Sequence, residues 1–77
     1  MDTEATTVSI LNRKYKLKAG GDKAAELQKA ATLVDEAARE YGKRYAYNDY
    51  QDLLAMVALT QMERLLNIDN LLTDPIG

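Results

Sequence analysis

The stretch Asp52-Leu53-Leu54-Ala55-Met56-Val57-Ala58-Leu59 constrains this chain more than any other feature. On helical spacing Leu53, Met56 and Val57 occupy one flank and Leu54, Ala55, Ala58 and Leu59 the other, so both sides are apolar. Beyond it, Thr60, Gln61, Glu63, Arg64 and Asn67 make one side wet, while Met62, Leu65, Leu66 and Leu72 keep the other dry. Such a helix is first surrounded and then packed along a single seam. A chain of 77 residues has little to surround it with. Domains of this size are marginal without disulfides, a structural metal or oligomerisation. With no Cys and no His, disulfides are excluded and zinc or copper sites are disfavoured. The expectation is therefore a homodimer, with Ala55, Ala58, Leu59, Met62, Leu65, Leu66, Asp69 and Leu72 in its interface. Within that set Ala55, Ala58, Met62, Leu65, Asp69 and Leu72 keep the 3-4 spacing of a short coiled-coil seam, with an acid at an a-like position.

Two further pieces precede this helix. Residues 1–6 are polar and read as a flexible N-terminus. From Thr7 the pattern alternates, and it resumes after Asn12-Arg13 with Tyr15 and Leu17 set against Lys14, Lys16 and Lys18. That spells a β-hairpin, with Asn12 as the residue able to take positive φ. A two-residue turn at Asn12-Arg13 pairs Ile10 with Tyr15 and Val8 with Leu17, and places Ser9 beside Lys16 and Thr7 beside Lys18; a bulged or longer loop is the alternative. Ala19-Gly20-Gly21 ends the strand, and Asp22 reads as the N-cap of a helix. On that helix Leu27, Ala30, Ala31, Val34, Ala37, Ala38, Tyr41 and Tyr45 share one face. Asp35–Arg39 and Glu40–Arg44 form favourable i,i+4 pairs on the other side, each contributing about 0.3–0.5 kcal/mol. Asn48 with Gln51 reads as a capping box opening the second helix, which runs to about Asn70. The fold class is α+β: an N-terminal hairpin followed by two helices, ββαα.

The chemistry-bearing residues offer no enzyme. Asp35, Glu36 and Glu40 lie on a wet face with nothing to shift a pKa. Ser9 has no His partner, and Gly20-Gly21 lacks phosphate-loop spacing. No cofactor is expected. A net charge of −2 argues against a dedicated nucleic-acid binder. The longest apolar run is too short to span a bilayer and no basic, apolar leader opens the chain, so a cytoplasmic protein is expected. Tyr41, Tyr45, Tyr47 and Tyr50 crowd the turn between the helices beside Lys43 and Arg44. Phase puts Tyr41 and Tyr45 on the apolar face and leaves Tyr47 and Tyr50 open between base stacking and ring packing. Lys14, Lys16 and Lys18, with Arg13 at the hairpin tip, read equally as edge-strand protection or as a docking surface for an acidic partner.

Taken together, Val8-Ser9-Ile10-Leu11-Asn12-Arg13-Lys14-Tyr15-Lys16-Leu17, Val34-Asp35-Glu36 and the run Asp52–Glu63 resemble the ZapA family in order and spacing. These are small bacterial proteins that bind FtsZ, the tubulin-like division protein, and help bundle its filaments in the Z ring. The resemblance covers residues 7–66 and implies a ββαα head that dimerises through its second helix. It also implies a C-terminal coiled coil that joins dimers into an antiparallel tetramer. Many members have Gly where this chain has Asn12, which serves the same turn. Asp74-Pro75 stops the helix early, so residues 67–77 read as the start of a short or truncated tail, and a tetramer would need a longer coil. Family members meet FtsZ near the hairpin and the start of the second helix. Carried over by position, this nominates Arg13, Lys14, Lys16, Gln51, Asp52 and Met56. Because FtsZ surfaces are broadly acidic, the resemblance tips the lysine stripe toward docking. The implied role is a non-enzymatic division adaptor at the division site, with FtsZ and a second copy as partners and neither nucleic acid nor membrane. The competing reading is a ribbon-helix-helix DNA-binding dimer, which also joins strand to helix pair at this size.

Overall fold

The computed structural model describes residues 4–73, with side chains through Ile68. Strands β1 (Ala5–Ile10) and β2 (Arg13–Lys18) form an antiparallel hairpin, followed by helices α1 (Gly21–Arg44) and α2 (Tyr50–Thr73). The expected ββαα order is the observed one. β1 begins two residues earlier than the alternation suggested, and α2 continues three residues past Asn70. Asp69 and Leu72, expected in the seam, lie outside the described side chains.

The hairpin turn differs from the sequence expectation by one residue. Ile10 pairs with Arg13, Val8 with Tyr15 and Thr6 with Leu17, so the turn residues are Leu11 and Asn12. Their φ values of 49° and 69° are the two successive positive values of a type I′ turn. A leucine in the left-handed region costs roughly 1–2 kcal/mol. Here the side chain enters the core and is only 5% exposed, which returns about 1.5–3 kcal/mol. Burial therefore outweighs the backbone strain. The shift also moves Arg13 from the tip into β2, where it shares a face with Tyr15 and Leu17. Lys14 now stands opposite Ser9 and Lys16 opposite Thr7.

The core is small. Leu11, Ala38, Leu53 and Val57 form its buried centre, with Ile10, Val34, Ala37, Tyr41 and Leu54 packed around them. Small residues on α1 let α2 come close, and at Gly42 an added Cβ would sit 3.3 Å from Leu53 Cδ1. α1 packs on β1 on one side and on α2 on the other, while β2 touches only β1. Consequently Val8 is buried but every residue of β2 is exposed. On α1, Ala31 and Ala38 are buried as expected, whereas Ala30 from the same stripe faces solvent, as does Tyr45 just past the end of the helix.

Two caps also differ. The residue preceding α1 is Gly20, with extended backbone and no side-chain cap, so Asp22 lies inside the first turn, where its charge suits the helix dipole. At α2, Asp49 Oδ1 accepts the Gln51 N–H at 2.9 Å, and Asp52 Oδ2 accepts the Asn48 N–H at 2.9 Å. The cap is therefore Asp49 with Asp52 in place of Asn48 with Gln51, one residue further on.

Radius of gyration and surface both show an open shape. A compact 77-residue domain has a radius near 11.5 Å, yet the observed value is 15.8 Å with extents of 50 × 37 × 14 Å. Accessible surface is 6271 Å², against about 4,700 Å² for a compact monomer of this size.

Candidate interaction site

Two surfaces stand out. The first is the side of α2 turned away from α1. Leu53 and Val57 are buried against α1, while Ala55, Ala58, Leu59, Met62, Leu65 and Leu66 are all exposed. Leu59 is 71% and Leu66 62% in contact with solvent. These six are the described members of the expected dimer interface. Beside them, α1 and α2 bound a groove of about 580 Å³ lined by Leu33, Val34 and Ala37 with Val57, Gln61 and Arg64. At one end of that groove the Tyr41 hydroxyl donates to Thr60 Oγ1 at 2.7 Å, and Thr60 in turn donates to the Met56 carbonyl at 2.9 Å.

The second surface is the end of the molecule where the hairpin turn meets the start of α2. Leu11 packs on Leu53, which brings the two separate groups nominated from the sequence to one end. The joint is tied by Asp35: Oδ1 accepts the Leu11 N–H at 2.6 Å and Oδ2 accepts from Arg39 Nε at 2.9 Å. Arg39 Nη2 also donates to Asn12 Oδ1 at 3.3 Å. The hydrogen bond from Arg39, then that from the Leu11 N–H, hold the Asp35 carboxyl below the ordinary carboxylate value. The wet-face reading of Asp35 is thus corrected. It is half-buried and fixes the turn on α1. Further along, Gln28 Nε2 ties β1 to α1 by donating to Thr6 Oγ1 and to the Thr7 carbonyl at 2.9 and 2.7 Å. Neither role shows as apolar periodicity. The signal for the turn was present, however, in the adjacent apolar pair Ile10-Leu11, which breaks the alternation one residue before Asn12.

Arg13, Lys14, Lys16 and Gln51 are all exposed at this end or along β2. Lys14 and Lys16 share one sheet face about 7 Å apart, and Arg13 faces the other way. Asp52 is exposed but committed to the Asn48 N–H, and Met56 is half-buried. Tyr45 is exposed against Tyr41, ring centroids 5.9 Å apart, and Tyr47 and Tyr50 are exposed beside each other. Among the described residues no group of three His, Cys, Asp or Glu could hold a metal ion, and no helix is long and apolar enough to cross a membrane.

The family model described as cell division protein ZapA matches residues 6–73. The chain belongs to the ZapA family. Membership makes it a cell division protein of a bacterial family that binds FtsZ. A solved structure described as an unknown conserved bacterial protein from Pseudomonas aeruginosa PAO1 is similar: TM-score 0.71 and 28% identity over 88% of this chain and 75% of that one. No curated protein matches. The ribbon-helix-helix reading does not fit a ZapA-family head whose strand pairs within its own chain, since that design pairs one strand between two copies.

Proposed function

We propose that this ZapA-family chain dimerises through the outer face of α2 and binds FtsZ with the end where the hairpin meets α2, so that one dimer links neighbouring filaments in the Z ring. The observation that carries the reading is the apolar side of α2 from Ala55 to Leu66, exposed along its described length. Singly exposed apolar residues are ordinary, but a continuous stripe marks an interaction surface. The excess surface of about 1,600 Å² over a compact monomer exceeds the roughly 800 Å² per partner of a standard interface. A two-fold dimer presents two copies of the filament-facing end, which is what linking filaments requires.

On this reading Arg13, Lys14 and Lys16 steer an acidic filament surface and Gln51 supplies a polar contact. Asp52 and Met56 support the first turns of α2. The test is co-sedimentation with polymerised FtsZ. Arg13→Glu combined with Lys16→Glu is expected to remove most of the pelleted protein while changing stability by no more than about 1 kcal/mol, the limit for exposed charges. Binding by the unsubstituted protein should weaken as added salt shortens the screening length below about 10 Å. A folded, dimeric double variant that pellets like the parent would remove the steering role.

A further inference from the structure

A depression of about 310 Å³ lies where the hairpin turn, the end of α1 and the start of α2 converge. Leu11 and Leu53 form its floor, Gly42 its side, and Tyr47 and Tyr50 stand at the edge with Arg39 and Lys43. The two rings lie 6.3 Å apart, tilted by 32°, and are 43% and 45% exposed. They neither close the core nor turn fully to solvent. Gly42 borders the opening closely enough that a Cβ there would lie in van der Waals contact with Tyr47, 3.5 Å from its Cε1.

Charge at the edge is ordered. Arg39 is held by Asp35 and Asn12, which fixes its guanidinium in place. Lys43 enters no ion pair among the described residues. The carboxylates on the same turn, Asp49 and Asp52, accept backbone N–H groups at the start of α2. A pocket near the lower size limit for ligand sites suits one large side chain better than an extended ligand. Tyrosine and arginine around an aliphatic floor are the residue types that anchor protein interfaces.

We infer that this depression receives a single large apolar or aromatic side chain of the filament protein, from a segment whose neighbouring carboxylates meet Lys43 and Arg39. The inference rests on the FtsZ-binding reading and adds to it a defined anchor, distinct from the charges on β2. An aliphatic floor between tilted rings offers no flat platform for a nucleobase, which favours a protein segment over single-stranded nucleic acid.

The test is a binding isotherm on FtsZ filaments, with the dimer checked by sedimentation. Tyr47→Ala with Tyr50→Ala should weaken binding at least about tenfold, and Tyr→Phe at both positions should restore most of it. Lys43→Glu, on the exposed last turn of α1, should also weaken binding and covers the case in which the alanine variant fails to fold. A folded alanine variant and a Lys43→Glu variant that both bind like the parent would overturn the pocket while leaving the FtsZ reading intact. Failure of the unsubstituted protein to bind filaments would overturn both. Tyrosine-dependent binding to a single-stranded oligonucleotide that competes with filaments would overturn the protein-segment assignment.

Discussion

Leu11 and Asp35 together decide how the hairpin sits on the helices. Leu11 accepts a left-handed backbone because its side chain fills the space between Ala38, Leu53 and Val57. Truncation to alanine should therefore cost roughly 2–5 kcal/mol in a denaturant melt, the range for a buried leucine. Asp35 receives the Leu11 N–H and the Arg39 guanidinium, and these two donors hold its carboxyl below its ordinary value of 3.8. The unfolded chain then takes up that proton more readily than the folded one. The resulting stabilisation is complete above 3.8 and disappears as pH falls through the lowered value. Thermal melts between about pH 5 and about pH 3 should show a shallower acid loss for Asp35→Asn than for the parent. Asp35→Ala should be the less stable of the two at neutral pH, since asparagine still offers an oxygen to Leu11. In the sequence, Asn12 marks the positive φ, but Leu11 reads as a strand residue, which sets the expected turn one residue further along than the observed one. A tertiary hydrogen bond from a residue 24 positions away leaves no local trace.

At the level of elements, the two helices were legible because their apolar spacing is strong, and the i,i+4 pairs Asp35–Arg39 and Glu40–Arg44 form as expected. Helix starts were less legible. The segment Asn48-Asp49-Tyr50-Gln51-Asp52 offers two overlapping capping frames, and the one beginning at Asp49 closes a hydrogen bond at Gln51 while Asp52 secures Asn48. The outer face of α2 was the plainest signal of all, because its apolar residues continue without a break in phase from Ala55 to Leu66. Leu65 separates the alternatives for that face, being 52% exposed in a single chain. Left in water, its change to alanine would alter stability by no more than about 0.5 kcal/mol. Packed against a second copy, the same change should cost roughly 2–5 kcal/mol and make the unfolding midpoint rise more steeply with protein concentration. Melts over a hundredfold concentration range distinguish the two.

Across the whole molecule, three pairs of elements pack: β2 on β1, α1 back past β2 in the chain onto β1, and α2 on α1. The apolar face of α2 was readable in the sequence, but not this layout, because binary patterns tell which faces are dry and not which neighbour dries them. The layout bears on how the protein reaches its native state. The hairpin and the helix pair each close between adjacent elements, and only β1 on α1 must span a whole strand. Little loop-closure entropy therefore precedes the first favourable contacts, and folding in the microsecond-to-millisecond range is expected. Joining two copies, by contrast, is a bimolecular encounter, slower at micromolar concentration. Stopped-flow refolding should therefore resolve a fast phase unchanged by dilution, followed by a phase whose rate rises in proportion to protein concentration. A single phase independent of concentration would mean that the α2 face closes without a partner. Under the proposed dimerisation, the same ordering would make head formation prompt and assembly responsive to abundance, so the number of copies, more than the speed of folding, would set when linked filaments form.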